Sequence, residues 1–521
     1  MSKKNQKITN RPAPTSKKPV HWWSWGDAAL KAAQKNSKPI LLFITHWTSP
    51  KNLTIEDQFK QAAITTQMNE TFICIKLNRD DRPDIATLYQ AVLPQLGQKT
   101  SWPLLLFLTP EAKPYWGHSP LQTEPTQTHP SVHQALTFAE KCYKEDNEAV
   151  KHNAATLTEL IAPQKPKITG PAISDDMLRN LAQRLGDMID TKNGGLRGTP
   201  KFPQFPLFHC LWRLGQHLAL KSAKHQVEHF LTSLFQGGIC DQTNGGIFPA
   251  AKDERWQKPL HFEKTLYDNA LMLELASLVY KETKSSLLKQ RCEEIIEWAN
   301  RDMRIENSTF TALSQPNNKN DKLLTDWNAM MIGGLTTASS TFKRPEWLKQ
   351  AQAIFQTLDD TMMQEHKQLH CKQPNGHTTP ALANDYAQMI KASLTLHTTT
   401  NNDHYLQQAQ KWTTQLNENF WCHEVGGYFT SSKTRTDVIL RGKTGKDEAI
   451  PNANGIMSSN LMQLYKKTGD ATYQKQAKTI IGAFGPTMAK NIFSHLTLFS
   501  AAIDTLNIDR SNQDQNKETN P

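Results

Sequence analysis

What most restricts this 521-residue chain is a recurring turn. Asn193-Gly-Gly-Leu196, Asn244-Gly-Gly-Ile247 and Val425-Gly-Gly-Tyr428 each follow a helical pattern and precede a short strand-like run. Paired glycines admit φ > 0 where a chain turns tightly out of a helix. Around these turns apolar residues recur with the 3.6-residue period of amphipathic helices. The segments run from Leu207 to Leu220, Val227 to Phe235, Leu266 to Tyr280, Leu287 to Trp298, Trp327 to Thr337 and Trp347 to Met363. They continue from Tyr386 to Leu396, Tyr405 to Phe420, Ile456 to Leu464, Tyr473 to Phe484 and Leu496 to Leu506. Hairpins repeating about every 50 to 60 residues bury their apolar faces only by stacking on one another. About twelve such helices make an (α/α)6 toroid. A plain helical solenoid is the alternative, and the unequal repeats and loop chemistry favour the closed ring.

The first part of the chain has a different character. Pro39-Ile-Leu-Leu-Phe-Ile44 is an apolar run of strand length, expected to be buried on both faces. Thr54 to Met68 reads as one helix with Glu56 and Asp57 in its first turn, where the helix dipole favours anions. Phe72 to Leu77 and Leu104 to Leu108 read as further strands. A turn at Pro110 to Lys113 leads to a hairpin partner around Tyr115-Trp116. Strands and helices mixed in this order indicate an α/β unit. The expected division is a disordered basic arm over 1–19, the α/β domain over 20–146, a Pro-containing linker over 147–175, the toroid over 176–507 and a polar tail over 508–521.

Charge and cysteine usage narrow the function classes. The net charge is +11, but Lys3, Lys4, Lys7, Arg11, Lys17 and Lys18 supply six positive charges before the first acidic residue, leaving +5 on the rest. Such an arm reads as a solvated tail, and the body carries no basic-aromatic pattern of a specific nucleic-acid binder. No apolar run approaches the roughly 20 residues that span a bilayer, and no secretory signal is visible in the first twenty. The seven cysteines are scattered with no CxxC spacing, which suits reduced thiols and a cytoplasmic location. No phosphate-cradling glycine loop, metal-spaced histidine set or nucleophile elbow is present, so no cofactor and no metal are expected.

Specific strings carry a family resemblance. Trp22-Trp-Ser-Trp25, Lys38-Pro-Ile40, Asn78-Arg-Asp-Asp-Arg-Pro-Asp84 and Trp102-Pro-Leu-Leu-Leu-Phe-Leu-Thr-Pro110 resemble the thioredoxin-like domain of the spermatogenesis-associated protein 20-like family. Pro200-Lys-Phe-Pro203, Asp253-Glu-Arg-Trp256, His261-Phe-Glu-Lys264, Leu266-Tyr-Asp268, Leu324-Thr-Asp-Trp-Asn328, Asp385-Tyr386, Gly426-Gly-Tyr-Phe429 and Ile439-Leu-Arg441 resemble its toroid. That toroid is similar to N-acylglucosamine 2-epimerases and six-hairpin glycosidases. The resemblance implies two domains, an N-terminal α/β thioredoxin-like fold and a C-terminal all-α (α/α)6 toroid.

Two departures from the family stand out. Where it carries Cys-His-Trp-Cys-His, this chain has Thr45-His-Trp-Thr-Ser49. A hydroxyl can neither form a mixed disulfide nor shuttle two electrons, so Thr45 and Thr48 are degenerate redox positions. Pro103, resembling the thioredoxin cis-proline, is expected still to shape the site. In the loop after the second paired-glycine turn the family places histidines, and here Gln242 and Phe248 stand there.

The expected site lies in the funnel at the inner-helix ends. His261 with Glu263 offers an acid/base pair, with Asp253 and Asp326 as further catalytic carboxylates. Lys201, Glu254, Arg255, Trp256, Tyr267, Asp268, Trp327, Asn328, Asp385, Tyr386, Arg441 and Asn454 are the ligand-binding candidates. Trp256 and Trp327 would stack on a sugar ring, and Glu263 and Tyr267, at i and i+4, would share a helix face. The same residues have plainer roles. Thr325-Asp326 and Asn384-Asp385 suit helix caps, Glu263-Lys264 and Arg255 suit ion pairs, Tyr267 suits the core, and Lys201 a surface position.

The leading reading is binding of a carbohydrate or sugar-like small molecule in the funnel, with epimerase, isomerase or glycosidase-like processing if the chain is an enzyme. A non-catalytic scaffold or binding protein with both ancestral sites decayed is the alternative. A thiol-disulfide oxidoreductase is the third and least supported. Protein partners are not legible.

Overall fold

The computed structural model describes residues 18–47, 49, 51–119, 130–162, 173–305, 308–315, 318–364 and 367–519. The chain divides into two compact units, Met1–Pro163 with Thr434–Gly442, and Gln164–Lys433 with Lys443–Pro521.

The first unit runs β1 (Trp22–Trp23), α1 (Asp27–Asn36), β2 (Ile40–Thr45), α2 (Lys51–Phe59), α3 (Ala62–Thr71), β3 (Ile73–Asn78), α4 (Pro83–Gln90), α5 (Val92–Gln95), β4 (Leu104–Leu108), β5 (Pro114–His118), α6 (Val132–Glu145) and α7 (Asn147–Ile161). The sheet order is β1-β3-β2-β4-β5, with β1, β3 and β2 parallel and β4 and β5 antiparallel. The unbroken apolar runs of β2 and β4 follow from burial on both sides. Ile40, Leu42, Ile44, Leu104, Leu106 and Leu108 enter one core with Trp25 and Tyr89. Leu41, Phe43, Leu105 and Phe107 enter the other with Phe59, Met68 and Leu136.

Three expectations are corrected here. The helix expected over 54–68 is two helices, because the N–H groups of Lys60 and Gln61 turn back to Asp57 and Gln58 and close α2. Glu56 and Asp57 therefore lie late in α2, where Glu56 pairs with Lys76 at 2.9 Å. The stretch read as a linker opens with α7, which buries Val150, Ala154 and Leu157 in the first unit. Finally, Ile439-Leu-Arg441, expected in the toroid, lies on the segment that completes the first unit. Val438, Ile439 and Leu440 pack on the core of Ile40 and Leu42. Asp437 accepts Arg82 Nη1 at 2.7 Å, while Arg82 also forks onto Asp84 at 2.9 and 2.8 Å.

Among the described residues the second unit contains twelve α-helices: α8 (Asp175–Met188), α9 (Phe205–His217), α10 (Lys221–Gln236), α11 (Leu266–Thr283), α12 (Ser286–Trp298), α13 (Thr325–Phe342), α14 (Pro345–Thr361), α15 (Ala383–Thr400), α16 (Asp403–Phe420), α17 (Ala453–Thr468), α18 (Ala471–Lys490) and α19 (Leu496–Thr519). Helix α19 runs on through the stretch expected to be a polar tail. Helices α9, α11, α13, α15, α17 and α19 each pack on the next, and α19 returns to α9, closing an inner ring. Burial follows this division. Outer α14 buries one stripe (Trp347, Ala351, Ile354, Phe355, Leu358), whereas inner α13 is buried around its circumference.

Each outer helix returns the chain, so all inner helices run in one direction and their N-termini gather at one end. Turns from inner to outer helix are short, with left-handed residues Lys284, Lys343, Asn401 and Gly469 ending the inner helices. Except between α18 and α19, connections from outer to inner helix are long, and three of them carry the small strands β6 (Lys264–Thr265), β7 (Leu313–Gln315), β8 (Asn318–Asn320), β9 (Leu323–Leu324), β10 (Met363–Gln364), β11 (Lys367–Lys372) and β12 (Thr378–Pro380).

The paired-glycine turns lie in these long connections and share one construction. In each, the residue four before the first glycine exchanges backbone hydrogen bonds with the pair: Asp190 with Gly194 and Gly195, Asp241 with Gly245 and Gly246, Cys422 with Gly426 and Gly427. Gly246 has φ +76°, and a Cβ there would lie 2.6 Å from the Trp298 indole. Replacing Gly246 by Ala combines left-handed strain with overpacking and is expected to cost about 2–4 kcal/mol, measured by urea unfolding.

Candidate functional site

The inner-helix N-termini meet the arriving loops through two repeated contacts. A buried asparagine in the first turn holds one loop residue, which for Asn269 and Asn454 is the one after the paired glycines. Asn269 Oδ1 accepts the N–H of Ile247 at 2.8 Å, Asn328 that of Phe310 at 2.9 Å and Asn454 that of Tyr428 at 2.7 Å. Each amide nitrogen donates back to the same residue's carbonyl. A buried lysine closes the turn itself. Lys201 Nζ donates to Asp190 and the Gly194 carbonyl, both at 2.7 Å, and Lys264 to Asp241 at 2.7 Å and the Gly245 carbonyl at 2.6 Å. Lys443 reaches the Gly426 carbonyl at 2.8 Å. Burial raises the Asp241 carboxyl, but Lys264 and the Asn244 N–H outweigh it and bring the group down to about 2.

These contacts locate many of the residues singled out from sequence. Asn328, Asn454 and Lys201 have their polar atoms committed to the loops, so Lys201 is neither a surface group nor an open cation. Trp256 is fully buried, donates its indole N–H to the Asn193 carbonyl at 3.0 Å and has the Lys201 ammonium 5.3 Å from its ring. Asp253 accepts the backbone N–H groups of Arg255, Gln257 and Lys258. Burial raises its carboxyl, and those donors bring it below the ordinary range. Glu254 and Arg255 are exposed. His261 is held low by burial against the opposing pull of Glu263. Glu263 precedes β6 and α11 begins at Leu266, so Glu263 and Tyr267 do not share a helix face. Gln242 donates to the carbonyls of Phe235, Gly237 and Cys240, and Phe248 packs on Phe262 beneath Lys264. Asp253, His261 with Glu263, and Asp326 thus have three separate sets of partners.

Other candidates come together at the starts of α11, α13 and α15. Tyr267 and Trp327 meet edge to face, ring centroids 4.6 Å apart. Asp268 is buried and hydrogen-bonded to Thr265 Oγ1 at 2.6 Å. Desolvation pushes it up to about 7, against the opposing effect of Thr265 and Tyr267. Asp326 and Asp385 lie beside His370 of β11, whose Nδ1 is 2.9 Å from Asp385 Oδ1 and 4.0 Å from Asp326 Oδ1. Both aspartates are first-turn anions, while the caps themselves are Leu324 and Leu382. Tyr386 is buried against Phe420.

The lumen of the ring holds chemistry that the sequence reading missed. The ninth residue of five inner helices is Arg213, Glu274, Gly333, Lys391 and Asp504. Lys391 of α15 bonds Glu274 of α11 at 2.7 and 2.8 Å although α13 stands between those helices in the ring, so the pair crosses the interior. Arg213 pairs with Asp504 at 2.5 Å, and Ser459 donates to Asp504 at 2.8 Å. Nearby, His209 donates Nε2–H to the Leu271 carbonyl at 3.3 Å, leaving Nδ1 as an acceptor, and burial lowers its proton affinity. Arg213 and Lys391 retain 31% and 25% of their side-chain surface, and a Cβ on buried Gly333 would meet no atom within 4 Å. The charged layer therefore borders a hollow. A periodicity analysis sees these residues only as polar interruptions of apolar helices; their shared ninth position was the available signal.

In the first unit Thr45 ends β2 with Oγ1 donating to the Leu77 carbonyl, and Thr48 lies outside the described residues. The Trp102-Pro103 peptide is cis. Ser49 Oγ donates to the Trp102 carbonyl at 2.9 Å, which sets the loop after β2 against that proline. Burial pushes the Cys74 thiol up to about 12 and raises Cys142 as well, so neither is an activated thiolate.

A five-stranded α/β unit with a cis-proline beside the loop after β2, together with a closed ring of six helical hairpins, defines a thioredoxin-like domain joined to an (α/α)6 toroid. Residues 13–162 match the Thioredox_DsbH family, described as protein of unknown function DUF255, and residues 219–517 match glycosyl hydrolase family 76. The chain belongs to the spermatogenesis-associated protein 20-like family, its toroid to glycosyl hydrolase family 76. It is 21% identical to spermatogenesis-associated protein 20 of Mus musculus over 91% of this chain and 76% of the relative, and 20% identical to that of Homo sapiens over 91% and 77%. Among solved structures, a D-mannose isomerase aligns with TM-score 0.54 at 13% identity over 65% of this chain and 99% of that one. A cellobiose 2-epimerase from Bacillus thermoamylovorans aligns with TM-score 0.51 at 10% identity over 63% and 98%. At such identities these likenesses establish the toroid fold. Among the described residues no helix is long and apolar enough to cross a membrane.

Asp268 gives a signed pH dependence. Its proton is held more tightly in the fold than in the unfolded chain, where the group titrates near ~4. The penalty of ionising it is therefore absent below about pH 4, grows as pH rises through 4 to 7, and is constant above. Asp268→Asn is expected to be more stable than the parent at pH 8 by up to roughly 1.4 kcal/mol per pH unit of that interval, with the gain vanishing at pH 4. Urea unfolding of both chains across this range checks it.

Proposed function

We propose that the toroid binds a carbohydrate or sugar-like small molecule in the hollow bordered by the charged layer. The observation that carries this reading is the charged layer formed by Arg213 with Asp504 on neighbouring helices and by Lys391 with Glu274 across the interior, in an inner ring that leaves open space at Gly333. Charged donors and acceptors fixed by one another present directional partners to hydroxyl groups, and the aromatic pair Tyr267 and Trp327 stands at the starts of α11 and α13. The sugar isomerases and epimerases that share the toroid fold support the same ligand class.

Among the described residues His209 is a candidate at the hollow for proton transfer of the epimerase or isomerase kind, its proton affinity lowered by burial and its Nδ1 an acceptor. A non-catalytic binding protein is the second reading, favoured by Gln242 and Phe248 standing where the family resemblance places histidines. Hydrogen exchange at C2 of a bound sugar in D2O separates them, exchange marking the enzyme and its absence in a bound sugar the binder. The thioredoxin-like unit is proposed to be redox-inactive, and the seven free cysteines suit a reducing cytoplasm. Insulin reduction is expected at background, and thiol-dependent turnover would overturn that assignment.

A thermal-shift screen with monosaccharides, disaccharides and sugar phosphates tests the ligand class. A true ligand at 100 times its Kd stabilises by about 2.7 kcal/mol. Gly333→Ala is expected to raise stability by about 0.5–1 kcal/mol because helix propensity improves without a clash. Gly333→Leu is expected to fold and to abolish the ligand shift by filling the hollow. If Gly333→Leu unfolds the chain, or if no sugar shifts the parent at millimolar concentration, the hollow is not a sugar site.

A further inference from the structure

Asp326, His370 and Asp385 come from three different elements, α13, β11 and α15, and are 3%, 2% and 0% exposed. One oxygen or nitrogen from each lies within 4.8 Å of the others. We infer that these three side chains form a binding site for a divalent first-row transition ion of the manganese or zinc type.

Charge is the first argument. Two buried carboxylates face one imidazole, so the trio carries −1 with the histidine protonated and −2 with it neutral. A dication with a neutral imidazole brings the sum to zero, the condition under which a dry site is least costly. Donor chemistry is the second. Two carboxylates and an imidazole suit manganese, iron or zinc rather than the all-oxygen shell of calcium or the thiolate set of a structural zinc.

The surroundings are the third argument. Metal-binding carboxylates are ordinarily held by outer hydrogen bonds, and these are. Asp326 accepts the Trp327 N–H and Asn384 Nδ2, both at 2.9 Å. Asp385 accepts the Leu382 N–H at 2.7 Å and the Asp326 N–H at 3.2 Å. Thr325 Oγ1 donates to the Leu369 carbonyl at 2.6 Å and fixes the strand bearing His370. With its nitrogen on Asp326, Asn384 leaves Oδ1 buried with no donor among the described residues. An acceptor left over beside two carboxylates and an imidazole is a fourth ligand atom for a cation, and a further proton on the trio would not satisfy it.

The site stands independently of the sugar reading, because its test contains no sugar. The full-length chain is dialysed against a chelator and titrated with Co2+, Mn2+ and Zn2+. One equivalent of each is expected to bind, with a Co2+ visible spectrum of low coordination number. Asp385→Asn and His370→Gln, checked for folding by circular dichroism, are expected to weaken binding by more than the roughly 10–100-fold that outer-sphere changes cost, and Asn384→Ala by about 10-fold. Pulsed EPR of Mn2+ on the unmodified chain is expected to show a directly coordinated nitrogen, a readout that survives any failure of the variants to fold. No stoichiometric binding, equal binding in Asp385→Asn, or a Mn2+ signal without nitrogen coupling would each overturn the site and leave a proton shared within the trio as its explanation.

Discussion

Six helices that all run the same way can close a ring only if every returning loop delivers the chain to the same level. That demand falls on backbone groups that burial strips of water. Asn269, Asn328 and Asn454 meet it by clamping an N–H and a C=O of the arriving loop, and Lys201, Lys264 and Lys443 by gripping a glycine carbonyl. Each such bond adds only about 1 kcal/mol net, but losing one strands a buried group at a cost of about 1–3 kcal/mol. The paired glycines follow from the same demand. Side chains as large as Trp256 and Trp298 lie against them, so a Cβ has nowhere to go.

This construction explains why the funnel end is so polar. Much of its asparagine, aspartate and lysine content answers backbone accounting, and polarity alone therefore does not mark a ligand site. Residues that bridge the interior are different in kind. Lys391 and Glu274 satisfy no loop, they cross the ring, and they border space that a helix without Gly333 would fill. Holding such charges inside a protein is destabilising unless geometry repays desolvation. A fold seeking only stability would place leucine there, as α17 does at its ninth residue, Leu461.

Much of the fold was legible because apolar periodicity is a local signal. The runs of β2, β3 and β4, the helices from α9 onward and the glycine pairs are each fixed by a few neighbouring residues. What escaped depends on residues distant in the chain. His370 lies in a polar stretch, and only the pairing of β11 with β9 brings it to Asp326. Arg213, Glu274, Lys391 and Asp504 share a layer through helix phase, which a scan for motifs does not compare across helices. Asp253 and Trp256 misled in the opposite direction. They form a dense polar-aromatic string whose purpose is to fold its own loop.

In the first unit the frame of the sheet is built apart from the loop that follows β2. Neither apolar core of the sheet contains His46, Trp47 or Ser49, so the side chains of that loop can vary without touching the cores of β2 and β4. Ser49 and Asn52 tie that loop down with ordinary hydrogen bonds. The frame does depend on residues some 350 positions later. Asp437 neutralises Arg82 across a separation of 355 residues, and its carbonyl takes the Trp25 indole N–H at 3.0 Å. With Asp84 already forked onto the same guanidinium, Arg82 sits between two buried carboxylates, and breaking such a group typically costs about 3–5 kcal/mol. The thioredoxin-like part is therefore not a module that ends where its last helix ends: its core is assembled from two stretches of sequence, the second lying between two helices of the toroid.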